Sequence, residues 1–232
     1  RPISDYTAPA KYSIAYIHYR RGCFEEAYGW FEKAALDNRF AQMSNYYIME
    51  CRFMLKDHKF VTRNAEEMIS KVPADRRSHL ARIVSESWLV LGNAEEARRY
   101  YDMASRGGNR PKSRSDWFYT GSLMYAVGDY KGAIDSYSMM DEKLDSLGQL
   151  ADYQLGYSYI QTRNKVAALE AFKSAANLYY DHAITEDAYF NWAKLAFDIN
   201  NDHSVFQEYI KKYSDKQKGD RIYSYMAVAA LH

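Results

Sequence analysis

Residues 117–137 read Trp-Phe-Tyr-Thr-Gly-Ser-Leu-Met-Tyr-Ala-Val-Gly-Asp-Tyr-Lys-Gly-Ala-Ile-Asp-Ser-Tyr. Trp117, Thr120, Gly121 and Met124 recur at the spacing of one helical face. Gly128 then ends an apolar helical run and precedes another, as helix-ending glycines do. The second run carries Ala133 and, one turn later, Tyr137. The stretch therefore reads as two helices joined by a tight turn.

The same arrangement recurs along the chain. Gly22, Gly92 and Gly128 each stand between two helical runs, 70 and 36 residues apart. In this register a small residue returns in the first helix of each repeat, at Ala15, Ser85, Gly121, Gly156, Ala193 and Ala227, with Glu50 in the remaining slot. In the second helix Ala27, Ala97, Ala133, Ala168 and then Val205 recur. Each is followed four residues later by an aromatic residue: Phe31, Tyr101, Tyr137, Phe172 and Tyr209. Ala34, Ala104 and Ala175 complete the pattern, with Met140 and Lys212 in the other two places. Small residues let two helices approach closely, and an aromatic ring one turn on fills the gap to the next pair. No pair buries its apolar face alone, so several must stack.

Composition agrees. The 232 residues include 47% hydrophobic and 26% charged, with a net charge of +1. Disorder and collagen-like structure are excluded, no run approaches the ~20 apolar residues of a membrane span, and mass electrostatic binding of nucleic acid is disfavoured. Glycine (11) and proline (4) are scarce, and Pro2, Pro9, Pro73 and Pro111 fall where helices should start or stop. Two cysteines make no disulfide framework; Cys23 and Cys51 read as free, partly buried thiols. The anomaly is 23 tyrosines. Predicted helices are 9–21, 24–36, 40–56, 59–71, 76–91, 94–106, 114–127, 130–143, 147–162, 165–179, 185–199, 202–213 and 218–232.

This pattern resembles the tetratricopeptide repeat. The fourth repeat matches best (Trp117, Gly121, Gly128, Tyr130, Ala133, Tyr137), with the first and fifth (Tyr159, Ala168, Phe172, Ala175) close behind. The second departs at Glu50, Thr62 and Glu66, which leaves its packing open. The resemblance implies a single all-α domain over 1–232: a right-handed α-solenoid of about six antiparallel helix pairs plus one terminal helix. Its repeats would be 9–39, 40–74, 75–110, 111–146, 147–183 and 184–217, with a partial 218–232. Because the chain starts at Arg1 and its last helix has no second member, it is expected to be a segment of a longer repeat protein. The loop 105–113 reads as local punctuation within the domain.

No constellation for catalysis stands out. There is no phosphate loop, no dinucleotide fingerprint and no HExxH, and the six histidines are dispersed. The pairs Glu25–Glu26, Glu66–Glu67 and Glu95–Glu96 suit helix N-termini better than acid–base chemistry, since adjacent helical residues diverge by about 100°. Arg106, Arg110, Lys112 and Arg114 read as a solvated loop. The expectation is no enzyme activity, cofactor or metal.

In the resembled family, first helices line a concave groove that holds a peptide or protein segment. The matching slots are Tyr12, Tyr16, Tyr19 and Arg20, then Tyr47 and Met54, then Arg82, Glu86 and Leu89. The fourth repeat gives Phe118, Ser122 and Tyr125; the fifth Tyr153, Tyr157, Ile160 and Gln161; the sixth Phe190, Lys194 and Phe197. Tyrosine joins a flat apolar body to a hydroxyl, which suits recognition of extended chains. The Lys/Asn carboxylate clamp of chaperone-tail binders is absent, since its slots hold Tyr12 and Tyr16, Tyr47 and Cys51, Arg82 and Glu86. The related RNA-reading pentatricopeptide arrays fit the period but not the charge. The implied function is a non-catalytic protein-interaction scaffold with a protein or peptide partner, without nucleic acid, in a bacterial periplasmic or cell-envelope setting. The alternatives are a regulatory or substrate-presenting appendage of an enzyme, or a spacer that oligomerises through terminal repeats.

Overall fold

The computed structural model describes residues 7–213 and Tyr223. The predicted terminal helix 218–232, with Met226, Ala227 and Ala230, lies outside the described residues apart from Tyr223. Those residues form an all-α protein whose helices are α1 (Thr7–Arg20), α2 (Phe24–Ala35), α3 (Asn38–Met54), α4 (His58–Arg63), α5 (Ala65–Lys71), α6 (Arg77–Val90), α7 (Ala94–Arg106), α8 (Arg114–Ala126), α9 (Tyr130–Ser138), α10 (Ser146–Gln161), α11 (Lys165–Ala176), α12 (His182–Asn200) and α13 (Ser204–Lys212). The chain divides into two compact bodies, Arg1–Arg110 and Pro111–His232, with the division inside the 105–113 loop.

One turn is used again and again. Gly22, Lys56, Gly92, Gly128 and Arg163 each end a first helix with φ of 77°, 61°, 80°, 78° and 61°. The next N–H reaches back five residues, from Cys23 to His18, Asp57 to Arg52, Asn93 to Trp88, Asp129 to Met124 and Asn164 to Tyr159, at 2.8–3.0 Å. This is the Schellman end of a helix, which requires a left-handed residue. Four of the donors then open the second helix: Asp57, Asn93, Asp129 and Asn164 accept the N–H of Phe60, Glu96, Gly132 and Ala167 at 3.0–3.1 Å. One three-residue unit thus closes one helix and caps the next. Three of the left-handed residues are the glycines that revealed the repeat; Lys56 and Arg163 do the same work at a steric cost.

Among the described residues the small-residue slots Ala15, Ser85, Gly121, Gly156 and Ala193 are buried. A Cβ added to Gly121 would stand 2.5 Å from the Tyr137 ring, and one on Gly156 would stand 2.8 Å from Phe172. Ala15 packs with Ala27 and Phe31, and Ala193 with Phe206 and Tyr209. Ser85 donates its hydroxyl to the Ala97 carbonyl of the facing helix. Glu25–Glu26, Glu66–Glu67 and Glu95–Glu96 all sit in first turns.

Four expectations need correction. The predicted helix 59–71 is two short helices broken at Asn64. Thr62 Oγ1 donates to the His58 carbonyl at 3.0 Å and Asn64 Nδ2 to the Phe60 carbonyl at 2.8 Å, and such local bonds compete with the helix ladder. In the same repeat Val61 and Ala65 are buried in place of Thr62 and Glu66, a slip of one residue. In the third repeat Tyr100, not Tyr101, is the buried aromatic. Finally, helix 130–143 stops at Ser138. Beyond it the charged run finds partners outside a helix: Arg114 Nε donates to the Asp141 carbonyl at 3.0 Å, Glu142 takes a φ of 48°, and Lys143 pairs with buried Asp152 at 3.2 Å.

Candidate functional site

In the amino-terminal body α3 packs against both α1 and α6. Tyr12, Tyr16 and Tyr19 lie on one face of α1, and Tyr47 of α3 stands among them. Its ring centroid is 6.4 Å from Tyr12, 5.6 Å from Tyr16 and 4.9 Å from Tyr19, and it stacks on Phe31 at 4.9 Å. The structure therefore joins the predicted aromatic slots of the first two repeats into one cluster. Tyr16 is its most open member, 36% exposed. Burial raises the Tyr12 hydroxyl above its ordinary range and pushes Tyr47 up to about 12. Arg20 and Met54 are exposed at their helix ends, and Arg82 is bonded to Glu86 at 3.1 Å one turn along α6.

Beside this cluster lies the residue that broke the pattern. Glu50 is buried, 8% exposed, in the slot where other repeats have a small residue. Its carboxylate accepts the Tyr19 hydroxyl at 2.6 Å and the Tyr46 hydroxyl at 2.5 Å. His79 Nδ1 of α6 is 2.8 Å from the Tyr46 oxygen and 3.4 Å from Glu50. Tyr46 has a single proton, and Glu50 takes it, so Nδ1 supplies the proton of the histidine contact. Burial first, and then the bond to Glu50, hold the Tyr19 and Tyr46 hydroxyls firmly in the neutral form. Three helices from three repeats meet at this carboxylate. Next to it Cys51 is buried, and desolvation pushes its thiol up to about 12; Cys23 is also free.

The carboxy-terminal body has a comparable arrangement. Tyr153 and Tyr157 of α10 meet edge to face at 5.1 Å, and each hydroxyl donates to Asp187 Oδ2 of α12 at 2.8 Å. Asn191 Nδ2 lies 2.9 Å from the same oxygen and 3.1 Å from the Tyr157 oxygen. Burial is the main cause that raises both tyrosines. On α8, Ser122 Oγ lies 3.1 Å from the Tyr137 hydroxyl and 3.3 Å from Gln154, which also accepts from Tyr137. Phe118 lies 6.3 Å from the Tyr137 ring, and Tyr125 lies 6.0 Å from Tyr130.

Of the remaining slots, Gln161 and Ile160 are exposed, and Lys194 is half-buried. Phe190 is half-buried and packs on Phe206 and Tyr209 at 6.4 and 5.8 Å. Phe197 is a correction. It is 8% exposed, packed 4.8 Å from His203 and 6.0 Å from Phe206, so it belongs to the core and offers no ring to a partner. The reason is its place one turn before the α12 terminus, where α13 folds back over it. Two of the four loop cations have partners within the fold: Arg110 donates to the Ser105 carbonyl at 2.5 Å and Arg114 pairs with Asp145.

Sequence reasoning missed Tyr46, Glu50, His79, Gln154, Asp187 and Asn191 as members of these sites. A faint signal existed: the acceptors follow their tyrosines by about one repeat, Glu50 31 residues after Tyr19 and Asp187 30 after Tyr157. What the arrangement does chemically is hold rings and hydroxyls in fixed positions. Among the described residues no group of three or more His, Cys, Asp or Glu is placed to hold a metal ion, and no helix is long and apolar enough to cross a membrane. No protein-family model matches this sequence, and no curated protein matches it.

Proposed function

We propose that this chain is a tetratricopeptide-like solenoid segment that binds an extended protein or peptide segment along its first helices, without catalysis. The observation that carries the reading is the fixing of half-buried tyrosines on these helices by partners from the following repeat, as Tyr19 is fixed to Glu50 and Tyr153 to Asp187. Rigid tyrosines lose little conformational entropy when they take up a ligand, which favours binding. A bacterial cell-envelope setting belongs to the same proposal and rests on the family resemblance.

Tyr16 and Tyr125 offer the cleanest test, because their rings meet other half-exposed tyrosines at the surface. Tyr16→Ala with Tyr125→Ala should leave the circular dichroism spectrum unchanged and abolish capture of whatever partner the native chain retains from lysate. Equal capture by the folded double variant would move binding to another face.

A further inference from the structure

The Tyr153–Tyr157–Asp187–Asn191 cluster has a chemical polarity that goes beyond general stickiness. A tyrosine hydroxyl carries one proton and two acceptor lone pairs. Tyr153 and Tyr157 both commit that proton to Asp187 Oδ2, at 2.8 Å each. Asn191 Nδ2 commits its protons to Asp187 and Tyr157, lying 2.9 Å from the Asp187 carbonyl, 2.9 Å from Oδ2 and 3.1 Å from the Tyr157 hydroxyl oxygen. Every polar atom with capacity to spare is then an acceptor: the two phenol oxygens, Asn191 Oδ1 and Asp187 Oδ1. Asp187 also keeps an uncompensated charge. Its hydrogen-bond donors are all neutral groups, and among the described residues no Lys, Arg or His pairs with it. The two rings, edge to face at 5.1 Å, add negative π faces beside that charge.

We infer that this cluster on α10 and α12 binds a cationic side chain, a guanidinium or ammonium, carried by the partner segment. The match is one of complementarity: Arg and Lys are donor-only and positive, while the site is acceptor-only and negative. An acidic segment would find neither a donor nor a compensating charge there. The inference deepens the binding role proposed above and rests on it. It assigns the fifth and sixth repeats the task of selecting for charge.

The test uses the whole chain, labelled for NMR, titrated with three capped pentapeptides: Gly-Arg-Gly-Arg-Gly, its Glu counterpart and pentaglycine. The arginine peptide should give saturable shifts centred on α10 and α12, and the other two should not. Asp187→Asn keeps the shape and an acceptor oxygen for the tyrosines; it should weaken the arginine peptide at least tenfold with helix content retained. Should that variant fold poorly, the wild type alone decides. Raising salt from low ionic strength to about 0.5 M should weaken an interaction with a half-buried charge severalfold. Shifts along the first helices with all three peptides alike would overturn the cation site and leave the general binding role standing. Arginine-peptide shifts confined to other helices, or binding indifferent to salt and to Asp187→Asn, would also overturn it.

Discussion

The hydroxyl of Tyr19 donates to the carboxylate of Glu50 at 2.6 Å, across 31 residues and from one repeat to the next. The repeat pattern asks for a small residue at position 50, so Glu50→Ala is the change that pattern-matching would recommend. The structure predicts the opposite result. Removing the carboxylate leaves the Tyr19 and Tyr46 hydroxyls without their shared acceptor. Buried donors stripped of a partner cost about 1–3 kcal/mol. Chemical denaturation of Glu50→Ala should show a loss of that size; a gain in stability would mean that the carboxylate is a burden on the fold.

The left-handed turn residues give a prediction of the other sign. Lys56 and Arg163 hold φ of 61° where Gly22, Gly92 and Gly128 fill the equivalent places. A side chain in this conformation costs roughly 1–2 kcal/mol, and the extra unfolded-state freedom of glycine takes back about 0.5–1 kcal/mol. Lys56→Gly and Arg163→Gly should each stabilise by about 0.5–1 kcal/mol. Additivity is expected, because the two turns lie in different bodies. Unchanged or lowered denaturation midpoints would show that these two side chains make compensating contacts.

Glycines within helices separate into two kinds. Gly156 lies against Phe172, with space for no Cβ, whereas a Cβ on Gly29 of α2 would meet nothing within 4 Å. Gly156→Ala should therefore destabilise by about 1–3 kcal/mol through displacement of the ring. Gly29→Ala should stabilise by up to about 1 kcal/mol through helix propensity. Thermal melts of the pair against the parent discriminate a packing requirement from a conformational one. Matching shifts of the same sign would remove the argument that small residues permit the helix crossing.

How far the sequence could be read follows from the same contrast. Ala15, Gly121, Gly156 and Ala193 were legible because close helix crossing recurs every repeat and leaves a periodic trace. So were Phe31, Tyr137 and Phe172, which fill the space that the small residues leave. The acceptors were not legible. Glu50 stands out only as a departure from the small-residue pattern, and nothing in the periodicity marks Asp187, since a hydrogen bond to the next repeat imposes no local spacing. The one-residue slip to Val61 and Ala65 escaped for a related reason: Thr62 and Asn64 bond to nearby carbonyls and reset the helix in a way that apolar periodicity does not record. Phe197 shows the limit of slot assignment, because the same helical face passes from surface to core where α13 covers it.

The bonded tyrosines finally make stability depend on alkaline pH. Burial raises Tyr19, Tyr46, Tyr137, Tyr153 and Tyr209 above the ordinary 10.0, and bonds to Glu50 and Asp187 add to this at Tyr19, Tyr46 and Tyr153. Tyr189 reaches about 12. In each case the folded state holds the proton more tightly than the unfolded chain. The stability they contribute is fully present below the unfolded value, and it is lost as pH rises towards the folded one. The melting temperature should thus vary little through these groups up to pH 9 and fall steeply above pH 10, as phenolates form and repel Glu50 and Asp187. Absorbance near 295 nm, which reports phenolate, should rise together with loss of helix. If many tyrosines ionise near their ordinary value while the helices persist, the hydroxyls are freely solvated and the bonds drawn between repeats are not made in solution.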